Sequence, residues 1–177
     1  MTRRFESELY WLAFLLTGRT APGIDTVSAA LEFGSGPDRC FQNWMHAWSR
    51  KVVIAKAVAA VQTDLTASRR RTQSLRAESH ADDLPPRGWS LASDADRLDL
   101  EQALLAIDIF PRCALLLTVF EKLSLADAAT LLDADQDLVF KGKMIGLHEL
   151  TRNLALNTGW QSTKAAPAVF TTERQHA

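Results

Sequence analysis

The sequence has few of the residues that form metal or disulfide sites. Its two cysteines, Cys40 and Cys113, stand far apart, with no CxxC pair and no histidine at metal-ligand spacing. This spacing argues against a structural zinc site and against a disulfide framework, so we interpret both as buried thiols in a reducing compartment. We expect no metal ligand set and no cofactor.

Long apolar runs are also lacking. The longest one near the amino end, WLAFLL at residues 11–16, is far too short to span a bilayer. A secretory signal would need a small-residue cleavage site after such a run, and none follows it. We therefore expect a cytoplasmic protein with no membrane partner.

The sequence has no excess of charge of either sign. Its 20 lysines and arginines nearly balance its 21 aspartates and glutamates, for a formal net charge of -1. No global positive field draws this chain to nucleic acid, so any DNA contact must come from local basic patches. With 177 residues, of which 47% are hydrophobic, the chain can bury the core of one ordinary domain or of two small helical domains.

The common catalytic motifs are missing as well. The sequence contains no GxxxxGK[ST], GxSxG, HExxH or GxGxxG pattern. Its four histidines lie scattered, without a nearby nucleophile or ligand pair: His46, His80, His148 and His176. We predict that the protein is not an enzyme.

The sequence does contain helical periodicity. Nowhere do apolar and polar residues alternate over a stretch long enough to predict a strand. Apolar residues recur at spacings of three or four over residues 5–16, a helix that Thr17-Gly18 terminates, and again over residues 38–71. A short helix is expected over residues 25–33, with Asp25 as its N-cap. The pattern therefore predicts an all-α fold.

A change of composition divides the chain. Residues 72–97 are polar, contain Pro85-Pro86 and show no periodic apolar face, which is typical of a linker. We predict a helical domain over residues 1–71, a second over residues 98–158, and a flexible tail over residues 159–177. The fold class is thus all-α, with two small helical domains joined by a linker.

Four helices are expected in the second domain. They are residues 99–107, a helix started by Pro111, residues 125 to about 132 after a Ser124 capping box, and residues 136–157. The last two are joined by a tight turn, which is the layout of a helix-turn-helix that places its second helix in the DNA major groove.

With this order of helices, the chain resembles a known family, the bacterial RNA polymerase sigma factors of the extracytoplasmic-function type. The closest likeness is LEQALLAIDIFPRCALLLTVFEKLSLADAATLLDAD, residues 100–135; ELYWLAFLLTGR and FQNWMHAWSRKVVIAKAV in the first half are similar more loosely. The resemblance covers most of residues 5–157. It implies a region 2-like domain that binds core polymerase and the melted promoter, and a region 4-like domain that reads the upstream promoter element.

The resemblance also implies where DNA contacts would lie. In the first half, Trp44 and Trp48 could stack on an unpaired base, although aromatic residues at helical spacing are more often core. The run of three arginines at residues 69–71 is either a phosphate-binding patch or a solvated helix end. The candidate DNA-binding residues are Gln136, Lys141, Lys143, Trp44, Trp48, Arg50, Lys51, Arg69, Arg70 and Arg71.

Several positions depart from the family's pattern. Where the reading helix usually carries Thr, Lys, Ser and Arg, this chain has Leu138, Phe140, Lys141 and Gly142. Three carboxylates precede or open that helix, and we interpret them as helix caps placed favourably at the positive end of the dipole: Asp133, Asp135 and Asp137. Residues 99–177 hold 7 Lys/Arg against 10 Asp/Glu.

These departures keep a second function open. Apolar Leu138 and Phe140 suggest a surface that contacts protein. Members of the family usually have an acidic stretch after the first loop that binds the polymerase clamp, and in this chain only Asp25 and Glu32 correspond to it. The alternative is a sigma-like interaction module or dimer that regulates transcription without reading promoters. Its partner would be an anti-sigma factor or another transcription protein.

Two glycines fall inside the predicted reading helix. Gly142 and Gly146 each cost on the order of 1 kcal/mol relative to alanine in a helix. Their spacing puts them on one face, where a partner backbone could approach. The interpretation we prefer from sequence is tolerated drift in a helix held by packing.

Overall fold

In a computed structural model, residues 2–19, 39–75, 85 and 97–157 are described, and within them the chain is helical with no strand. The α-helices are α1 (Thr2–Thr17), α2 (Arg39–Ala60), α3 (Gln62–Ser74), α4 (Arg97–Leu105), α5 (Ile109–Leu115), α6 (Leu125–Leu132) and α7 (Gln136–Asn157). A π-helical turn, Leu116–Phe120, continues α5. The predicted all-α class is confirmed.

Several helix ends lie where local sequence signals place them. Helix α1 ends at Gly18, which adopts a φ of 70° and donates its N–H to the Phe14 carbonyl at 2.7 Å. Helices α6 and α7 have the predicted bounds. Helix α5 begins two residues before Pro111, because the Asp108 carboxylate accepts the Ile109 N–H at 2.9 Å and caps the helix there.

The long helix predicted over residues 38–71 is two helices. Val61, with φ −114° and ψ 17°, leaves helical geometry between α2 and α3. The Leu65 N–H nevertheless bonds to the Val61 carbonyl at 2.8 Å, so the new helix starts at once. The periodicity continues across the break because both helices turn an apolar face to the same core.

Helices from both halves of the chain share one cluster of buried side chains. We call α1–α3 the amino segment and α4–α7 the carboxyl segment. The cluster includes Leu16 and Leu65 from the first and Leu104 and Leu132 from the second. Burying each such side chain contributes about 1.5 to 3 kcal/mol. The division into two domains stays a prediction, while the two segments pack directly on each other.

The tightest helix crossing joins α5 and α7 at the two glycines. A Cβ built on Gly146 would lie 2.7 Å from the Pro111 carbonyl oxygen, and one built on Gly142 would lie 2.9 Å from the Phe110 ring. Both glycines are buried. Tolerated drift is therefore the wrong interpretation: the glycines let the α5 backbone approach α7.

Some predictions fall on residues outside the described part of the chain. These are the helix over residues 25–33, with Asp25 and Glu32, nearly all of the linker, and the tail. Among the residues that are described, no helix combines the length and apolar character needed to cross a bilayer.

The α5–α7 crossing can be tested with Gly146→Ala. An alanine in a helix interior ordinarily stabilises by up to about 1 kcal/mol relative to glycine. Here the added methyl meets backbone, so we expect the free energy of unfolding to fall by about 2 kcal/mol. Urea unfolding measures it, with Arg152→Ala, on an exposed position of the same helix, as the control. A Gly146→Ala protein more stable than the wild type would contradict the close approach.

Candidate nucleic-acid and protein interface

Helices α6 and α7 are joined by the three residues 133–135, and capping side chains lie at the start of each helix. Ser124 Oγ accepts the Asp127 N–H at 3.1 Å and starts α6. Asp133, with φ 49° and ψ 51°, ends α6 in the left-handed conformation. Asp135 Oδ1 then accepts the Leu138 N–H at 2.7 Å and caps α7. The capping interpretation is confirmed for Asp135, and the helix-turn-helix assignment stays a prediction.

The residues that we singled out in the first turns of α7 differ in exposure. Gln136 is exposed, but Leu138 is buried and belongs to the core cluster. Leu138 is thus not at the surface that we predicted would contact a partner. Its burial follows from helical spacing, because it lies on the same face as Gly142 and Gly146, which is turned toward α5.

The outer face of α7 is apolar instead of basic. Phe140, Met144 and Leu147 are 51%, 48% and 42% exposed. Spacings of four and three residues align them along one side of the helix, and we call them the apolar stripe. Met144 and Leu147 were not among the predicted contact residues. Three large apolar side chains together on a surface helix are typical of a protein-contact surface.

Lys141 is held by the amino segment. Its Nζ donates to the Gln73 carbonyl at 3.2 Å and also to the Leu75 carbonyl. Both carbonyls lie at the end of α3, where the last turn of a helix leaves oxygens without intrahelical partners. The cation therefore completes the carboxyl end of α3 and also meets the negative end of its dipole.

Three predicted phosphate-binding arginines form ion pairs across the two segments. Arg69 Nη1 lies 3.1 Å from Asp133 Oδ2, Arg71 Nη2 lies 2.8 Å from Asp108 Oδ1, and Arg50 Nη2 lies 2.7 Å from Glu121 Oε1. We call these the cross-segment pairs. Each one uses an arginine of the amino segment and a carboxylate of the carboxyl segment, so the basic patch is compensated within the chain.

Arg50–Glu121 is the best formed of the three pairs. Both Nε and Nη2 of Arg50 bond to the carboxylate, and the Glu121 side chain is only 5% exposed. The hydrogen-bonded carboxylate raises the pKa of the Arg50 guanidinium above its ordinary value although partial burial opposes this. Glu121 follows the π-helical turn and its N–H bonds to the Leu116 carbonyl at 2.9 Å, which fixes its position.

The two tryptophans lie on one side of α2. Trp44 and Trp48 stack with ring centroids 6.4 Å apart and an interplanar angle of 16°. Trp44 is 59% exposed, so the core interpretation is wrong for this residue. Lys51 and Arg70 are exposed as well. Several of the predicted DNA-binding residues take part in none of the cross-segment pairs: Trp44, Trp48, Lys51, Arg70 and Lys143.

The sequence did not point to the partners of these arginines. Asp108 and Glu121 sit at helix ends, where a carboxylate is ordinarily explained by capping, and indeed Asp108 also caps α5. Arg112 was missed too, although a lone cation within RCALLLTVF is a signal that could have been used.

Cys113 is buried as predicted. Its Sγ lies 3.6 Å from the Leu16 carbonyl oxygen, and burial raises the pKa of the thiol to about 12.

Lys141→Ala tests whether this residue serves the fold. We expect it to lower the free energy of unfolding by about 1 kcal/mol, because two carbonyls at the end of α3 lose their donor. Lys143→Ala removes the same charge two residues away and should change stability by less than about 0.5 kcal/mol. Equal unfolding midpoints for the two variants would show that the Lys141 contacts contribute nothing.

The Arg71–Asp108 pair predicts a dependence of stability on pH. Burial favours the neutral acid, but hydrogen bonds from Arg71, Ser68 and the Ile109 N–H outweigh it and lower the pKa of Asp108 below its ordinary 3.8. The stabilisation is thus complete above that ordinary value and is lost as pH falls through the folded-state pKa.

The comparison variant is Asp108→Asn, which keeps a capping side chain and removes the charge. Near neutral pH we expect it to be less stable than the wild type by up to about 1 kcal/mol, in the range of partly exposed pairs. The difference should shrink below a pH of about 4. Chemical unfolding of both proteins across pH measures it, and a difference that is constant down to the most acidic buffer would exclude the pair as its source.

Comparison of the chain with protein-family models, with curated proteins and with solved structures returns no match. The likeness to sigma factors therefore continues to depend on the residues and helix order given above, and the function that follows from it is a proposal.

Proposed function

We propose that this protein is a sigma-factor-like transcription initiation protein, which binds core RNA polymerase and promoter DNA. The observation that carries the proposal is the succession of α5, the Ser124-capped α6, a three-residue turn and the Asp135-capped α7. This is the order of elements that the resemblance implies for a promoter-reading domain. Exposed Trp44 stacked on Trp48 supports it with a surface that could accept an unpaired base.

The cross-segment pairs place a condition on this function. Arg50, Arg69 and Arg71 are less available to phosphates while they are paired with carboxylates of the same chain, and Lys141 is engaged at the end of α3. We infer that strong promoter binding requires the carboxyl segment to separate from α2 and α3. Free protein should therefore bind promoter DNA weakly, and polymerase should strengthen that binding by stabilising the separated form.

The decisive experiment is a pull-down of purified bacterial core RNA polymerase by the full chain, followed by promoter-dependent transcription with the same components. A sigma-like initiator should remain bound to core polymerase and direct specific transcripts. A chain that neither binds polymerase nor supports initiation would overturn the proposal.

The DNA contacts can be tested with cations outside the cross-segment pairs. We expect Lys143→Ala combined with Arg70→Ala to weaken promoter binding by the polymerase complex and to reduce its salt dependence by about one ion per lost phosphate contact. Lys122→Ala removes an exposed cation that was not predicted to contact DNA and serves as the control. Fluorescence anisotropy at several salt concentrations measures both effects. Identical salt slopes for all three proteins would exclude these contacts.

The apolar stripe favours a second candidate function, an interaction module that acts without reading promoters. Phe140, Met144 and Leu147 lie where a reading helix needs hydrogen-bond donors. Under this function the purified chain should form a stable dimer or protein complex and should not bind core polymerase. Phe140→Ser should dissociate that dimer in analytical ultracentrifugation, whereas promoter-dependent transcription that survives the same substitution would favour the first function.

A further inference from the structure

Arg112 is a buried cation that lacks a carboxylate partner. The residue is 6% exposed and lies within the apolar run of α5. Its Nη1 donates to the carbonyls of Leu105 and Ile107, at 3.1 and 3.3 Å. Its Nε is buried without a hydrogen-bond partner, and no ion pair joins it to a carboxylate in the described parts of the chain.

Such a group is costly for a folded protein. Removing a charge from water without an ion pair is unfavourable, and carbonyl contacts offset this only in part. Burial accordingly lowers the pKa of the Arg112 guanidinium, an effect that the nearby Asp108 carboxylate opposes but does not cancel, and the group remains a cation at neutral pH. Arg112 has a structural role, because its Nη1 binds two carbonyls at and just after the end of α4. This role uses Nη1 and does not account for the other donors of the guanidinium.

The guanidinium lines a cleft that we call the arginine cleft. It has a volume of about 460 Å³ and lies between the end of α1, α3 and residues 105–112. Its ionised lining residues are Arg19, Arg71, Arg112, Asp64 and Asp108. Arg19 pairs with Asp64 at 3.2 Å and Arg71 pairs with Asp108 at 2.8 Å, which leaves Arg112 as the cation of the lining without an ion pair to another described residue.

Gly18 lies beside this guanidinium and places no side chain over it. A Cβ at Gly18 would lie 3.1 Å from Arg112 Nη2, and the φ of 70° disfavours any side chain there. Ala67, Leu105 and Ile109 provide apolar wall in the same cleft. The cleft thus combines a buried cation, two outer arginines that are paired with Asp64 and Asp108, and an apolar surface. Three arginines against two aspartates leave the lining with an excess of one positive charge, beside an apolar wall on which a ligand body can lie.

We propose that the arginine cleft binds a small organic anion, whose phosphate or carboxylate group pairs with Arg112 and whose body lies on the apolar wall. Guanidinium groups match the geometry of these two oxyanions. Arg19 and Arg71 lie at the cleft with ion pairs that a ligand can share. This proposal does not depend on the function proposed above, although it shares Arg71 with it and applies to the packed form, in which α3 faces residues 105–112.

Isothermal titration calorimetry of the full chain tests the proposal, with phenyl phosphate and benzoate as probes and phenol as the uncharged reference. We expect saturable one-to-one binding of at least one of the two anions, and none of phenol. The stronger of the two identifies the oxyanion. Absence of saturable binding by both anions would overturn the proposal.

Variants decide whether bound anion occupies this cleft. Arg112→Gln should abolish the binding. Arg71→Gln should weaken it about tenfold, as expected for loss of one charge-assisted contact. Lys56→Gln, at an exposed position of α2 outside the cleft, should leave affinity unchanged. If Arg112→Gln does not fold by circular dichroism, the contrast between the Arg71 and Lys56 variants decides. Equal affinity in those two variants would place any binding elsewhere and overturn the assignment.

Discussion

The close approach of α5 and α7 is the constraint on which the other features depend. Backbone meets backbone where Gly146 faces the Pro111 carbonyl, so a side chain at this position of α7 would clash with α5. This packing of α7 on α5 buries Leu138, directs Lys141 to the end of α3 and turns Phe140, Met144 and Leu147 outward. The character of the α7 surface therefore follows from two residues that have no side chain.

Helix α5 in turn joins this crossing to the amino segment. The Phe110 N–H donates to Ser68 Oγ at 2.9 Å on α3, and the Cys113 thiol lies against the Leu16 carbonyl on α1. Arg112 lies between Phe110 and Cys113 in the sequence of α5, so the helix that supports the arginine cleft also packs against α7.

The sequence predicted those parts of the fold that short-range chemistry determines. The bounds of α6 and α7 follow from Ser124 and Asp135, whose caps act within three residues, and the end of α1 follows from Gly18. The break at Val61 was not predictable, because both helices share one apolar pattern. The pairing of Arg69 with Asp133 links residues 64 positions apart, and no local rule relates them.

The residue types of the candidate site could be read from the sequence, but the contacts that these residues make in the fold could not. Whether the predicted phosphate-binding arginines and lysine are available depends on carboxylates and carbonyls that only tertiary structure brings near. Gly142 and Gly146 show the same limit, since their helix cost is local and their benefit comes from α5. The exposure of Trp44 likewise depends on what α2 packs against, which its spacing to Trp48 does not determine.

The cross-segment pairs also bear on how salt would act. Arg69–Asp133 and Arg71–Asp108 are exposed enough for counterions to screen them, whereas Glu121 is almost completely buried against Arg50. Salt that loosens the first two pairs also weakens phosphate contacts, so ionic strength cannot both separate the segments and strengthen DNA binding. Under the proposed function, separation of the segments therefore needs a binding partner that stabilises the separated form. Since Arg50–Glu121 and the shared core oppose separation most, the partner in this proposal has to offset apolar burial as well as charge, which favours a protein surface over DNA.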